Sequence, residues 1–195
     1  MDLRKIELTR ETEETKVRLT LRPDEPKPVS VRTEAAFLNH LLEAMCFHGG
    51  ISLEIDASGD TDVDLHHLVE DVGLVLGDAL HQAAFDFGPV RRFGHSVIPM
   101  DEALSEVVVD VCGRPTLVFS GRFPQERIGD FDTILVKEFL TALTARARIA
   151  LHGILRAGEN SHHMAESLFK ALGRALADAY ARGDAIRSTK GTLDR

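Results

Sequence analysis

The chain is poor in cysteine. Among its 195 residues only Cys46 and Cys112 carry a thiol, and neither has a Cys-x-x-Cys partner. A structural zinc of the finger type needs more thiolates and is excluded; the plain reading is two buried thiols in a reducing cytoplasm. No apolar run approaches the roughly 20 residues that a membrane span requires. The opening stretch, Met1 to Lys16, is polar and of mixed charge, which is not the pattern of a signal peptide. Basic residues are in deficit, 23 against 31 acidic, for a formal net charge of −8. That balance argues against nucleic acid or an anionic membrane as the main partner. Neither Gly-x-x-x-x-Gly-Lys nor Gly-x-Gly-x-x-Gly occurs, so no nucleotide is suggested.

What the chain does have is a doubled motif. His66-His67-Leu68-Val69-Glu70 recurs 96 residues later as His162-His163-Met164-Ala165-Glu166. Each copy is followed by apolar residues at helical spacing, with a glycine at the same offset (Gly77, Gly173) and a closing Ala-Leu. Upstream, Phe37-Leu-Asn-His40-Leu-Leu matches Leu135-Val-Lys-Glu138-Phe-Leu at an offset of 98, a drift of two residues that a loop can absorb. Each half then reads as strands, a helix, a strand and a helix opened by the motif. Alternating β-branched residues place strands at Lys5–Leu8, Val17–Leu21, Ile51–Ala57, Val107–Val111, Thr116–Phe119 and Arg148–Leu155, with a loop from Asp24 to Pro28. The expected class is α+β: two similar half-domains, residues 1–88 and 89–181, each a small mixed sheet backed by helices in a two-layer sandwich. Gly88-Pro89 marks the boundary, and an irregular polar tail covers 182–195.

The repeated residues are of metal-binding type. Residues i and i+4 share a helical face, while i and i+1 diverge by about 100°. His66 and Glu70 can therefore chelate one ion while His67 points elsewhere, and the same holds for His162, Glu166 and His163. Pseudo-twofold logic adds one residue per upstream helix and gives two sets: His40, His67, His162 and Glu166; and Glu138, His163, His66 and Glu70. Nitrogen and carboxylate donors without sulfur suit manganese, iron or another divalent ion in an open site. Other histidines carry less. A lone His on a helix is usually a surface or capped core residue, which covers His81 and His95. His48 and His152 precede glycines near helix–strand junctions, where structural hydrogen bonding serves equally well.

Anion donors are scattered: Arg92 and Arg114 beside turns, and Ser188-Thr189-Lys190-Gly191 in the tail, with hydroxyls, backbone N–H groups and an ammonium. The motifs together resemble the imidazoleglycerol-phosphate dehydratase family, nearly end to end. They are Arg10-x-Thr-x-Glu14-Thr, Phe37-Leu-x-His40 with His48-Gly, Gly59-Asp60 ahead of His66-His67-x-x-Glu70-Asp71, Arg92-Phe-Gly, Asp101-Glu-Ala-Leu, Gly113-Arg114-Pro, Asn160-x-His162-His163-x-x-Glu166 and Ser188-x-Lys190-Gly.

The resemblance implies a cytoplasmic enzyme of histidine biosynthesis that dehydrates D-erythro-imidazole-glycerol phosphate to imidazole-acetol phosphate, with two Mn2+ per active site. It implies a cage of about 24 copies with sites at subunit interfaces. Glu14, by its place in the opening motif, is the candidate for proton transfer, with Glu70 and Glu166 as further catalytic carboxylates. Arg92, Arg114, Ser188, Thr189 and Lys190 are the implied phosphate clamp, so that the tail contributes to the substrate site. Three positions depart from the family pattern: Glu138 for a more usual His, Asn39 for Asp and Ala44 for Gln. A metal-storing cage without turnover and a dinuclear metallohydrolase are the rival readings.

Overall fold

A computed structural model of the chain describes residues 3–185, so Ser188, Thr189 and Lys190 lie outside the described residues. The first half comprises β1 (Ile6–Glu11), β2 (Thr15–Arg22), β3 (Val29–Arg32), α1 (Ala36–Gly49), β4 (Ser52–Gly59) and α2 (His66–Phe85). The second comprises β5 (Phe93–Met100), β6 (Ala103–Asp110), β7 (Thr116–Ser120), a short hairpin of β8 (Arg127–Ile128) and β9 (Phe131–Asp132), then α3 (Ile134–Ala147), β10 (Ala150–Ala157) and α4 (Ser161–Tyr180).

The two sheets share one topology, β1-β2-β4-β3 and β5-β6-β10-β7. All pairings are antiparallel except β3 with β4 and β7 with β10, the two pairs joined through a helix. A parallel pair needs such a crossover, and here α1 and α3 provide it. The two-residue drift in the repeat falls between the last strand of each sheet in chain order, β4 or β10, and the first motif histidine, residues 60–65 in the first half against 158–161 in the second. The fold is thus the expected α+β duplication. The six strands read from the sequence are β1, β2, β4, β6, β7 and β10. Two long-sheet strands gave no such signal. β3 has only four residues, and β5 is broken in pattern by Gly94 and Pro99, tolerable because it is a sheet edge.

Strand alternation puts Val17, Leu19 and Leu21 on the covered face of the first sheet, and one continuous apolar core runs through both halves. The halves join through their helices: α2 packs on α3, and α1 on α4. The two glycines that share an offset in the repeat are the crossing points. A Cβ on Gly173 would stand 1.9 Å from the Met45 carbonyl oxygen, and one on Gly77 2.7 Å from that of Leu143. Gly173→Ala is therefore expected to force α1 and α4 apart at a cost of about 3 kcal/mol, the upper end for overpacking. Thermal unfolding is the check: an unchanged melting temperature would show that the crossing yields freely.

A buried arginine closes the far end of both motif helices. Arg4, 1% exposed, donates to the carbonyls of Ala83 (3.0 Å) and Tyr180 (2.8 Å) near the ends of α2 and α4. Its charge is met by Asp24, through Nε to Oδ2 at 3.0 Å and Nη2 to Oδ1 at 2.5 Å. Cys46 and Cys112 are both buried and unbridged. No helix among the described residues is long and apolar enough to cross a membrane.

Candidate metal centre

Both motif helices begin in the same way. An Asx side chain two residues upstream accepts from the backbone of the first histidine: Asp64 Oδ1 from His66 N at 2.7 Å, and Asn160 Oδ1 from His162 N at 2.9 Å. In α4 Asn160 is the N-cap itself and satisfies one of the free N–H groups of the first turn; in α2 Leu65 holds the cap position and Asp64 bonds from one residue further out. The neighbouring histidines then diverge alike, their ring planes 88° apart for His66 and His67 and 86° apart for His162 and His163.

At the α1–α4 junction three ligand atoms converge. His40 Nε2 lies 3.1 Å from Glu166 Oε2, and His162 Nε2 lies 3.3 Å from the same oxygen. The three residues offer atoms all within 4.8 Å of one another. Adjacent ligands of an octahedral ion with bonds of about 2.1 Å stand about 3 Å apart, so the cluster has the right size and donor types for a divalent cation. The other oxygen of Glu166, Oε1, is held by Lys170 Nζ at 2.8 Å, which turns Oε2 toward the histidines. Burial alone would push the Glu166 carboxyl up, but hydrogen bonds from Lys170 and His40 outweigh it and keep it below the usual range. The Phe37 ring packs 5.0 Å from His162 and 5.4 Å from Phe131. A cavity of about 770 Å³ opens beside the cluster, walled by Phe37, Leu65, Ile128 and Phe131.

His67 was expected beside His40, His162 and Glu166, but within one chain it is not there. Its Nδ1 stands 3.0 Å from Asp60 Oδ2 and 3.8 Å from Glu14 Oε2. His163, expected with Glu138, His66 and Glu70, turns its Nδ1 to Glu102 Oε2 at 2.8 Å. The cause is the divergence of adjacent helical positions, which sends the second histidine of each motif to the other side of its helix. A carboxylate on Nδ1 fixes each ring and leaves Nε2 as the remaining ligand atom, the usual arrangement behind a metal-binding histidine; that of His163 lies 3.4 Å from Asn160 Nδ2 and 3.7 Å from Asp101 Oδ2. The hydrogen bond that His67 donates to Asp60 raises its pKa, and the one that His163 donates to Glu102 raises that of His163. Glu102 falls to about 2, through His163 and then the backbone amides of Asn160 and Glu159.

His66 and Glu138 are half-buried and Glu70 is exposed; among the described residues these three form no cluster comparable to the first. They do lie on α2 and α3, which pack together as α1 and α4 do.

Glu14 is exposed at the β1–β2 turn, near His67. Arg92 is half-buried and engages Asp110 through Nε (2.7 Å) and Nη2 (3.1 Å), over the Phe93 ring at 4.7 Å. Its backbone N donates to Ala179 O, at the C-terminal end of α4, whereas His162 is at the N-terminal end. At 1.5 Å per residue the two are about 25 Å apart along that helix. Arg114 is exposed, in the β6–β7 turn behind Gly113.

A second row of side chains escaped the sequence reading. His162, Glu166, Lys170 and Arg174 recur every four residues along one face of α4, and His48 of α1 comes within electrostatic reach of Lys170 and Arg174. Burial and these two cations lower the pKa of His48. At the duplicate position the α2–α3 junction is neutralised, since Arg146 holds Asp78 bidentately at 2.8 and 2.8 Å. At the α1–α4 junction the corresponding positions are His48 and Arg174, so this end of the row is positive. Asp60 and Glu102 also went unassigned, because they come from different elements, one from the β4–α2 connection and the other from the β5–β6 turn. A repeat cannot reveal a partner it does not repeat.

A duplicated α+β chain with a carboxylate–imidazole cluster between its halves describes a metal-site enzyme scaffold. The model of the imidazoleglycerol-phosphate dehydratase family matches residues 33–176. The imidazoleglycerol-phosphate dehydratase of Magnetococcus marinus is 48% identical over 189 residues, covering 95% of this chain and 96% of that protein. That of Acidithiobacillus ferrooxidans is 44% identical, covering 99% of each. Among solved structures, the Staphylococcus aureus dehydratase superposes with a TM-score of 0.81 at 39% identity over 91% of this chain and 99% of that one. The Pyrococcus furiosus protein gives 0.84 at 34% identity over 95% and 100%. The chain belongs to the imidazoleglycerol-phosphate dehydratase family and is an enzyme.

Proposed function

We propose that the chain, in the cytoplasm, removes water from D-erythro-imidazole-glycerol phosphate to give imidazole-acetol phosphate in histidine biosynthesis, with two divalent cations, manganese in the first place. The observation that carries this is the convergence of His40 Nε2, His162 Nε2 and Glu166 Oε2 on one point. The bound cations would supply Lewis acidity toward the imidazole nitrogens of the substrate, whose carbon-bound proton is otherwise hardly acidic. His40, His162 and Glu166 hold one of them; His66, Glu70 and Glu138 supply donors for the other. Glu14, close to His67, is placed to move a proton at the carbon skeleton, with Glu70 and Glu166 held mainly as ligands. Lys170 and Arg174, about two and three turns beyond His162 on α4, and His48, about two turns beyond His40 on α1, suit the phosphate of a substrate whose ring is at the cluster.

This reading needs more than one copy of the chain. A substrate of about 10 atoms' length cannot span the roughly 25 Å that separates His162 from Arg92 along α4. Arg92 therefore serves the cluster of a neighbouring copy, and Arg114, Ser188, Thr189 and Lys190 are the further members of the phosphate clamp that the family resemblance implies. The Nε2 atoms of His67 and His163 likewise complete the two ligand sets between copies. An assembly of about 24 copies is the form proposed, and its mass in solution tests it.

The deciding experiment supplies imidazole-glycerol phosphate and Mn2+ to the metal-free protein and follows formation of the ketone. Metal uptake without product would favour a storage role, and release of inorganic phosphate would favour a hydrolase. The cationic row favours the dehydratase, since storage has no use for it. Lys170→Ala is expected to raise KM for the phosphorylated substrate about tenfold, one charge-assisted contact. An unchanged KM would remove the row from the substrate site.

A further inference from the structure

The two halves differ most where the third strand of each sheet leads into its helix. From β3 to α1 the connection is residues 33–35; from β7 to α3 it is residues 121–133, with the β8–β9 hairpin inside it. The longer segment crosses to the start of α4. Gln125 N donates to Ser161 Oγ at 2.9 Å, Ser161 Oγ donates to Gln125 O at 3.1 Å, Ser161 N donates to Gln125 Oε1 at 2.7 Å, and Gln125 Nε2 donates to Glu159 O at 2.9 Å. The hairpin beyond it seats Phe131, 2% exposed, edge-on against Phe37 at 5.4 Å, and Phe37 in turn lies against His162.

We infer that Gln125 is a positioning residue for the His40–His162–Glu166 set: it fixes the first turn of α4 and hence the place of the His162 imidazole. The inference rests on the metal-binding reading given above. Ser161, the residue immediately before His162, is tied on both its backbone N and its hydroxyl, and Asn160 ties His162 N itself. With the first turn held from two sides, His162 Nε2 keeps its place relative to a carboxylate one turn on and an imidazole on another helix. The duplicate helix α2 has Asp64 at its start but no equivalent of the 121–133 segment, because a three-residue connection cannot reach it. The assembled cluster is found where the segment is present. Its duplicate, without one, shows no comparable cluster among the described residues. Within one chain the His40–His162–Glu166 set is already assembled, whereas at the start of α2 it is His67 that groups, with Glu14 and Asp60, and His66, Glu70 and Glu138 are not brought together.

The test titrates metal-free full-length protein with Mn2+, reading the free aqueous ion by electron paramagnetic resonance. Gln125→Ala should weaken one class of site about 10- to 100-fold, the range for residues that orient metal ligands, and leave the other class unchanged. Gln125→Glu keeps an oxygen acceptor for Ser161 N but loses the donor to Glu159 O, so it should weaken that class of site less than Gln125→Ala does. Thermal unfolding of each variant separates a structural effect. Unchanged affinity in Gln125→Ala, or equal weakening of both classes alongside a lowered melting temperature, overturns the inference. A native protein that takes up no Mn2+ overturns the metal reading itself, and the inference with it.

Discussion

Glu166→Gln is expected to lose one of the two cations and to turn over at least about 10³-fold more slowly, a loss of about 4 kcal/mol at the transition state. The substitution keeps the volume of a side chain that is 8% exposed, and it keeps an oxygen able to meet Lys170 or His40. What it removes is the negative charge. Two imidazoles and a neutral amide are a poor set for a hard or borderline dication, whereas two imidazoles and a carboxylate are a good one. Lys170, 2.8 Å from Oε1, would also lose its counter-charge and repel the incoming ion. Metal content by atomic absorption and kcat on the native substrate are the two readouts. Glu70→Gln, at the duplicate position, should remove the other cation, so the two variants ought to differ in which class of site survives. A Glu166→Gln protein with its full metal content and native kcat would show that the convergence seen at the α1–α4 junction is a hydrogen-bonded cluster and no more.

For stability, Asp24→Asn should be among the most damaging single changes to this chain, at about 3–5 kcal/mol, because it strands a buried guanidinium without its anion. The Arg4 side chain is 2% exposed and that of Asp24 15%. Arg4 also holds the carbonyls of Ala83 and Tyr180, so movement of its head group would loosen the ends of both motif helices at once. The pH dependence has a definite sign. Burial by itself would raise the Asp24 pKa, but hydrogen bonds from the Arg4 side chain and backbone and the charges of Arg4 and Arg182 hold it below its ordinary 3.8. A carboxyl depressed in the folded state adds stability that is complete above its unfolded pKa and disappears as pH falls through the folded value. Native protein should therefore lose stability below about pH 4, and the Asn variant, already lower at neutral pH, should fall less steeply there. Urea unfolding from pH 7 down to 3 measures both. Coincident curves for the two proteins would mean that Asp24 carries no net stabilisation, and parallel, offset ones that its contribution is not linked to its ionisation.

The residues that define the cluster were legible because their information is local. A pentad of His-His-x-x-Glu states its own geometry: a helix puts His162 and Glu166 together and turns His163 away, whatever surrounds it. The match of His40 with Glu138 could be read from the repeat, and so could the glycines at the two helix crossings. The strands with β-branched alternation were equally plain, whereas β3 is too short and β5 too interrupted to stand out. Asp60, Glu102, Lys170 and the His48–Arg174 pair were not assigned, for a different reason. Each acts on a residue of another element or at a place where the two halves differ. Asp60, Glu102 and His48 stand inside motifs of the family resemblance but without a role, and Lys170 carried a signal of its own, its spacing of four from Glu166.

By itself, then, the amino-acid order determined the duplication, the α+β class, where the motif helices begin and which side chains share a helical face, since these follow from periods of two and 3.6 residues along the backbone. Tertiary structure alone decided what each of those faces meets. Close approach at Gly173 sets α1 against α4 so that His40 reaches Glu166, and the lengths of the 60–65 and 121–133 segments determine which carboxylate holds His67 and that Gln125 reaches the start of α4. Contacts between distant segments depend on crossing geometry and loop length together, and neither is written in the periodicity of any one element.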